Sequence, residues 1–232
     1  MAAVVITGAS RGIGLATARE FARAGDHVHA MCRNPAGAGD LHSLAAETGN
    51  VTLHQMDVTD FASIDRAAAE IGDAVIDVII NNAGIVGNFE HQHIDSMDYD
   101  AWRHVLETMM LGPLRVTQAL MGNLARSKAA KIIFISSEWG SSVYDSKGLY
   151  LYAYASAKGG LNRVAQLMAA QLRERNIIVV PIHPGYVRTD MAGPIADISP
   201  EESGAGIHSV TNSLTMADSG KFYRWNGTIH PW

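Results

Sequence analysis

The chain has 232 residues, 47% of them hydrophobic and 18% charged, and a formal net charge of -5. One sizeable α/β domain over residues 1–232 accounts for that length, which leaves too little for a nucleotide-binding domain plus a full second one. A disordered chain is excluded by the composition, and the modest negative charge gives no support for a nucleic-acid or anionic-membrane partner.

A single cysteine, Cys32, excludes an internal disulfide and suits a reducing compartment. No apolar run approaches transmembrane length. The chain enters a strand directly after Met1, with no basic segment and cleavage site. A soluble, cytoplasmic protein is expected.

Ala2 to Thr7 is a short apolar run, the mark of a strand covered on both faces. The turn Gly8-Ala9-Ser10-Arg11-Gly12-Ile13-Gly14 follows, then a helix with Leu15, Ala18, Phe21 and Ala22 on one face and Gly25 at its end. His27 to Cys32 reads as the second strand, closing a βαβ unit around the glycines. A weak helix from Asp40 to Thr48 leads to a strand from Val51 to Met56 that ends at Asp57-Val58. Phe61, Ile64, Ala68 and Ile71 mark the next helix, and Val75 to Ile80 a strand running into Asn81-Asn82-Ala83-Gly84.

A loop with His91 and His93 precedes a long helical stretch from about Met97 to Ala125, interrupted at Gly112-Pro113. Lys131 to Ser136 is a strand, followed by a Gly/Ser/Tyr-rich loop from Gly140 to Tyr152. The strongest helix runs from Tyr154 to Arg175, with Leu161, Val164, Ala165, Met168 and Leu172 on one face. Ile177 to Ile182 is another buried strand, ending at Pro184-Gly185. A loop, a helix near Pro200 to Leu214 and a short strand near Lys221 to Tyr223 complete the chain. Strands alternating with helices throughout predict a doubly wound, Rossmann-type parallel sheet with helices on both faces.

The first turn carries chemistry in its glycines. Gly8 allows the tight turn, Gly12 lets backbone N–H groups approach a pyrophosphate, and Gly14 lets the helix pack on the sheet. A glycine-rich turn with no ligand is the plainer alternative. At the end of the second strand an acid would bond a ribose 2′-OH, and a cation would suit a 2′-phosphate. The chain offers Cys32 and Arg33 there, with Arg11 inside the turn, which favours NADP(H) over NAD(H). Asp57 and Val58 fall where an adenine would rest.

Tyr154 and Lys158 are four residues apart on one helix face. An ammonium close to a phenol favours the phenolate and pulls the tyrosine pKa down from about 10, making Tyr154 a proton donor and acceptor near neutral pH. By itself such a pair is common among helix neighbours. A cofactor site upstream gives it meaning.

Taken together, Thr7 to Gly14 (TGxxxGxG), Asp57-Val58, Asn81 to Gly84 (NNAG), Ser136 to Gly140, Tyr154 to Lys158, and Pro184-Gly185 with Thr189 resemble the short-chain dehydrogenases/reductases. The ending, from Asp218 to Trp232, looks like the small, C-factor-like carbonyl-reductase branch. The resemblance implies hydride transfer between nicotinamide C4 and a carbonyl or alcohol carbon. In it Ser137 would bond the substrate oxygen, Tyr154 would move the proton, and Lys158 would hold the nicotinamide ribose and lower the tyrosine pKa. Cofactor contacts would come from Gly8, Ser10, Arg11, Gly12, Ile13 and Gly14, from Arg33, Asp57 and Val58, and from Asn82, Ala83 and Gly84. Pro184, Gly185, Val187 and Thr189 would complete them. Ser137 and Tyr154 stand 17 positions apart, wider than the commonest family spacing, and the intervening loop can absorb the difference.

One position departs from the family. Its usual asparagine before the glycine of the long helix, which supports a relay water behind the lysine, corresponds to Met109. A thioether is a poor hydrogen-bonding group. That puts the relay in question, although a backbone carbonyl loosened by Gly112-Pro113 can hold the water instead.

Weaker signals remain. Trp139, Tyr144, Tyr186 and Met191 fall on loops at strand carboxyl ends and suggest an apolar or aromatic substrate pocket, or else lid packing. His91-Gln92-His93 lacks a third ligand at helix spacing and reads as a polar loop, so no metal is expected. Met109, Met110 and Met168 read as core. The long helix and the Tyr154 helix offer faces for a homodimer or homotetramer. The expected activity is an NADPH-dependent carbonyl reductase or alcohol dehydrogenase. The alternatives are an NAD-dependent alcohol or dihydrodiol dehydrogenase, and a weakly catalytic dinucleotide-binding signalling or sensor protein.

Overall fold

A computed structural model describes residues 1–143 and 150–232. Short runs of β-branched and other apolar residues form the central strands: β1 (Ala3–Thr7), β2 (His27–Cys32), β3 (Val51–Gln55) and β4 (Val78–Asn81). Two very short strands, β5 (Gln92–His93) and β6 (Ser96–Met97), pair antiparallel as a separate hairpin. Then come β7 (Lys131–Ile135), β8 (Ile178–His183) and β9 (Tyr223–Arg224). The sheet has seven strands in the order β3-β2-β1-β4-β7-β8-β9, and every pairing in it is parallel.

Parallel strands need crossovers, and the helices supply them on both faces. The crossovers include α1 (Gly12–Arg23), α2 (Gly39–Thr48) and α3 (Phe61–Ile71). Alternation along β1 divides the core between the faces. Val4 and Ile6 pack with α1 residues Leu15 and Phe21, whereas Val5 packs on the opposite side with Ile64 and Ala67 of α3. Each such fully buried aliphatic side chain contributes roughly 1.5–3 kcal/mol. Strand order reverses between β1 and β4, so the loops at their carboxyl ends diverge and open a crevice.

The long helix expected over Met97–Ala125 is several pieces. Met97 belongs to β6, and α4 (Tyr99–Leu106) begins at an Asp98 cap that accepts from the Ala101 N–H at 2.9 Å. A π segment, Glu107–Leu111, follows, with the Gly112 N–H reaching back to the Glu107 carbonyl. Pro113 has no N–H to offer the carbonyls behind it, and wider turns here absorb the mismatch. Then α5 (Gly112–Ala119) and α6 (Met121–Leu124) complete the stretch.

The Tyr154 helix, α7, spans Tyr152–Leu172, and α8 spans Pro200–Ser213, closed by a capping box from Ser199 and Glu202. In α3 the expected inward face is revised. Phe61 is exposed, with the Arg115 guanidinium 4.1 Å from its ring centroid, and Ala67 lies inward beside Ile64 and Ile71. No helix among the described residues is long and apolar enough to cross a membrane.

Candidate active site

A cleft of about 430 Å³ lies along the carboxyl edges of the strands, running from Arg33 and Asp57 past the glycine turn to Tyr154 and Lys158. Its floor is built by backbone proximity. A Cβ on Gly14 would sit 2.3 Å from the Gly8 carbonyl oxygen and 2.5 Å from Asn82 Nδ2, so only glycine lets α1 begin against β1. Gly12 takes φ +54 and faces the Thr189 methyl, where a side chain would be strained. The Asn82 amide donates to the Thr7 and Gly8 carbonyls at 2.9 and 3.1 Å. The Thr7 hydroxyl oxygen accepts from the backbone N–H groups of Asn82 and Ala83, both at 3.0 Å. The two loops that diverge from the reversal point are thereby locked together. This bare cradle, shaped at a helix N-terminus, fits the phosphates of a dinucleotide.

At the other end of the cleft, Tyr154 and Lys158 project from the first turns of α7. Lys158 is buried, and its ammonium donates to the Ile135 carbonyl oxygen at the end of β7 at 2.6 Å. Burial, which disfavours the charged ammonium, pushes its pKa down to about 8. Its Nζ lies 5.8 Å from the Tyr154 ring centroid. The expected lowering of the tyrosine pKa is reversed here. Burial of the phenol raises it, and the compensating pull comes from a hydrogen bond with Ser137, not from the lysine. A desolvated phenol holds its proton, which suits the acid role more than the phenolate role.

Ser137 ends β7's extension and accepts from the Trp139 N–H at 3.2 Å. Its loop is pinned onto α7 at two points. A Cβ on Gly140 would meet the Lys158 carbonyl carbon at 2.6 Å, so glycine alone allows the contact. Asn162, one turn beyond Lys158 and buried, accepts from the Ser136 hydroxyl at 2.6 Å and donates to the Gly140 carbonyl at 3.0 Å. Asn162 was not singled out from sequence, nor was the Ser136 hydroxyl given a role within its motif, because only the docked loop gives that amide two partners. The Trp139 ring meets the Tyr154 ring edge-on at 6.0 Å.

Most residues expected at a cofactor line this cleft: Gly8, Ser10, Arg11, Gly12, Ile13, Gly14, Arg33, Asp57, Val58, Asn82, Ala83, Gly84, Pro184 and Thr189. Gly185 and Val187 do not. Gly185 turns the chain at φ +89 against Ile198 and Trp225, and Val187 is buried in a bridge to Ile198. His104, Thr108 and Arg188 also line the wall without having been expected there. Met191 lines the cleft and is exposed; Tyr186 is exposed, with its hydroxyl donating to the Ala192 carbonyl. Tyr144 lies outside the described residues.

The two arginines differ from expectation. Arg11 is paired with Asp190 at 2.5 Å across the cleft mouth, both side chains well exposed. Arg33 is exposed, and its charge reaches the nearby Asp57, a carboxylate within range where the sequence predicts none. Burial works against ionised Asp57, but bonds from the Thr59 N–H and hydroxyl, with the Arg33 charge, hold its pKa below the ordinary value. Met109 is fully buried among Val105, Ala153 and Ala157, its sulfur beside Gly84.

His93 stands in β5 of the small hairpin, and His91 in the loop just before it. His91 bonds the Ser96 hydroxyl. No group of three metal-binding side chains occurs among the described residues.

Residues 2–198 match the family model for the short chain dehydrogenase. An uncharacterized oxidoreductase of Schizosaccharomyces pombe, C663.09c, is 31% identical over 97% of this chain and 96% of its own length. The C-signal of Myxococcus xanthus is 33% identical over 71% of this chain and 98% of its own. Among solved structures, the NADPH-bound carbonyl reductase from chicken fatty liver superposes with a TM-score of 0.92 at 33% identity, covering 99% of this chain and 98% of that one.

Proposed function

The chain belongs to the short-chain dehydrogenase family, and from that premise we propose that it is an oxidoreductase that moves a hydride between NADP(H) and a carbonyl or secondary-alcohol substrate. The observation that carries the reading is that Tyr154 and Lys158 line the same cleft as the glycine cradle, with Ser137 hydrogen-bonded to Tyr154 just behind its wall.

In the reductive direction, NADPH when bound supplies hydride from its nicotinamide. The protein's part is to hold and polarise the carbonyl. Ser137 donates a hydrogen bond to the substrate oxygen, and Tyr154 transfers its phenolic proton to that oxygen as negative charge develops. Lys158, anchored by Ile135, would bind the ribose hydroxyls of the cofactor and stabilise the phenolate left behind. Thr7 and Asn82 keep the cradle rigid, which fixes the distance between the cofactor and Tyr154. Arg33, at the end of β2 where Cys32 stands in place of an acid, supports the phosphorylated cofactor; NAD(H) is the alternative. Ile85 and Met191 line the cleft with apolar surface, and Trp139 packs edge-on against Tyr154, which favours apolar or aromatic carbonyl compounds. A cytoplasmic location, one domain and a homodimer or homotetramer remain parts of this reading, supported by the lone buried thiol of Cys32 and the chain's length.

The test is NADPH oxidation over a panel of ketones and aldehydes, beside direct titration of NADPH and NADH. Turnover with NADPH supports the reading. Tight cofactor binding with no turnover across the panel would favour the sensor alternative, to which the similarity to the C-signal of Myxococcus xanthus gives a specific footing.

A further inference from the structure

In the β5–β6 hairpin, half-buried His93 stands next to a glutamine that points inward. Gln92 is 2% exposed, and its amide joins two parts of the active site. Its Nε2 donates to the carbonyls of Val86 at 2.6 Å and Asn88 at 3.2 Å, in the loop that leaves Gly84 at the cleft. Its Oε1 accepts from the backbone N–H of Tyr154 at 3.3 Å.

That N–H needs a partner. Tyr154 is the third residue of α7, and the first N–H groups of a helix have no intrahelical acceptor. The usual solution is a Ser, Thr, Asp or Asn at the preceding cap position, but Leu151 stands there and makes no side-chain cap. The first intrahelical bond is from the Ala155 N–H to the Leu151 carbonyl. The Tyr154 amide is therefore capped by a residue 62 positions earlier in the chain.

We propose that Gln92 is a positioning residue, which holds the Tyr154 end of α7 in register with the loop that borders the cofactor cleft. The inference rests on Tyr154 as the proton donor. A local cap at Leu151 would satisfy the amide equally well but would leave α7 unlinked to that loop. The observed arrangement couples the two, because one rigid amide group bonds both at once. A second contact runs alongside it: the Trp102 indole N–H of α4 donates to the Ser156 hydroxyl at 3.0 Å, so the same first turns of α7 are held from two neighbouring segments.

The test compares the wild-type enzyme with Gln92→Met, which keeps length and apolar volume and removes both hydrogen-bonding atoms. With NADPH and whichever panel ketone the wild type reduces, kcat is expected to fall about tenfold through misplacement of the phenol. NADPH affinity, measured by titration without substrate, is expected to stay within about twofold, because the glycine cradle is untouched. Amide exchange at Tyr154 is expected to accelerate in the variant while exchange in β1 and β8 is unchanged. Wild-type kcat in a folded Gln92→Met, or an equal loss of kcat and cofactor affinity, would overturn the proposal. Should that variant not fold, the double variant Gln92→Met/Leu151→Asn restores a local cap. If the double variant folds, reduced kcat supports the coupling role and full wild-type kcat overturns it. If it does not fold either, exchange in the wild type decides: a Tyr154 amide about a hundredfold protected relative to an unstructured chain supports the bond, and an unprotected one removes it. A wild type that reduces no carbonyl would instead count against the function, and the amide exchange would still report on Gln92.

Discussion

Lys158 donates to the carbonyl oxygen of Ile135 at 2.6 Å, which ties the ammonium to the end of β7 with its Nζ 5.8 Å from the Tyr154 ring centroid. The lysine is buried with no carboxylate paired to it among the described residues, and desolvation holds its pKa at about 8, below the ordinary 10.5. The sign follows from linkage. Between these values the unfolded chain binds the proton and the folded one releases it, so stability rises with pH through that interval and the full cost is borne below about pH 8. Lys158→Met is therefore expected to lose turnover and yet melt higher than wild type at pH 7. That advantage should shrink by pH 10. Thermal unfolding at the two pH values checks it, and a variant less stable than wild type at pH 7 would contradict the desolvation argument.

Removing the proposed proton donor separates chemistry from binding. Tyr154→Phe deletes only the hydroxyl that bonds Ser137. Turnover is expected to fall by roughly a factor of 10²–10⁴, the range assigned to a general acid, with NADPH affinity unchanged within about twofold. Steady-state rates beside a cofactor titration test this. Substantial residual activity would assign the proton to another group.

Cofactor choice turns on one exposed guanidinium. Arg11 is engaged by Asp190, which leaves Arg33 as the cation at the end of β2. A charge-assisted bond to a phosphate is worth about 1.5–3 kcal/mol, so Arg33→Ala should weaken NADPH about ten- to a hundredfold and NADH hardly at all. Equal effects on both cofactors would remove Arg33 from the phosphate site.

Met109 stands where the family's asparagine is expected, but the helix around it has changed as well. The Gly112 N–H bonds the Glu107 carbonyl, and Pro113 has no N–H to give, so the regular helical ladder is interrupted beside Met109. A backbone carbonyl released by that interruption can serve as the acceptor that the thioether does not provide. Met109→Asn would bury an amide among Val105, Ala153 and Ala157 and is expected to cost about 1–3 kcal/mol of stability, leaving kcat within about threefold. A tenfold rise in kcat would show instead that the thioether interrupts proton supply in the wild type.

Much of the site was legible before any coordinates. Gly8, Gly12 and Gly14 act through backbone geometry, and a backbone constraint imposes its residue type wherever it occurs. Tyr154 and Lys158 were legible because helix periodicity alone puts them on one face. What stayed hidden were contacts between segments distant in the chain. Gln92 capping Tyr154, Asn162 bridging Ser136 to Gly140, and Asp190 engaging Arg11 have no local signature. The helix break was placed at Gly112-Pro113, yet proline acts backward on the carbonyls before it, so the irregular turn falls on Glu107–Leu111.

The amino-acid order alone determined the alternating elements, the parallel doubly wound sheet and the residues of the cradle, since each follows from local periodicity or from a backbone that admits only glycine. Tertiary structure decided the electrostatics and the bracing of the site. Burial opposes the charged forms of Tyr154 and Lys158, raising one pKa and lowering the other, and burial is set by which distant segments close over a side chain.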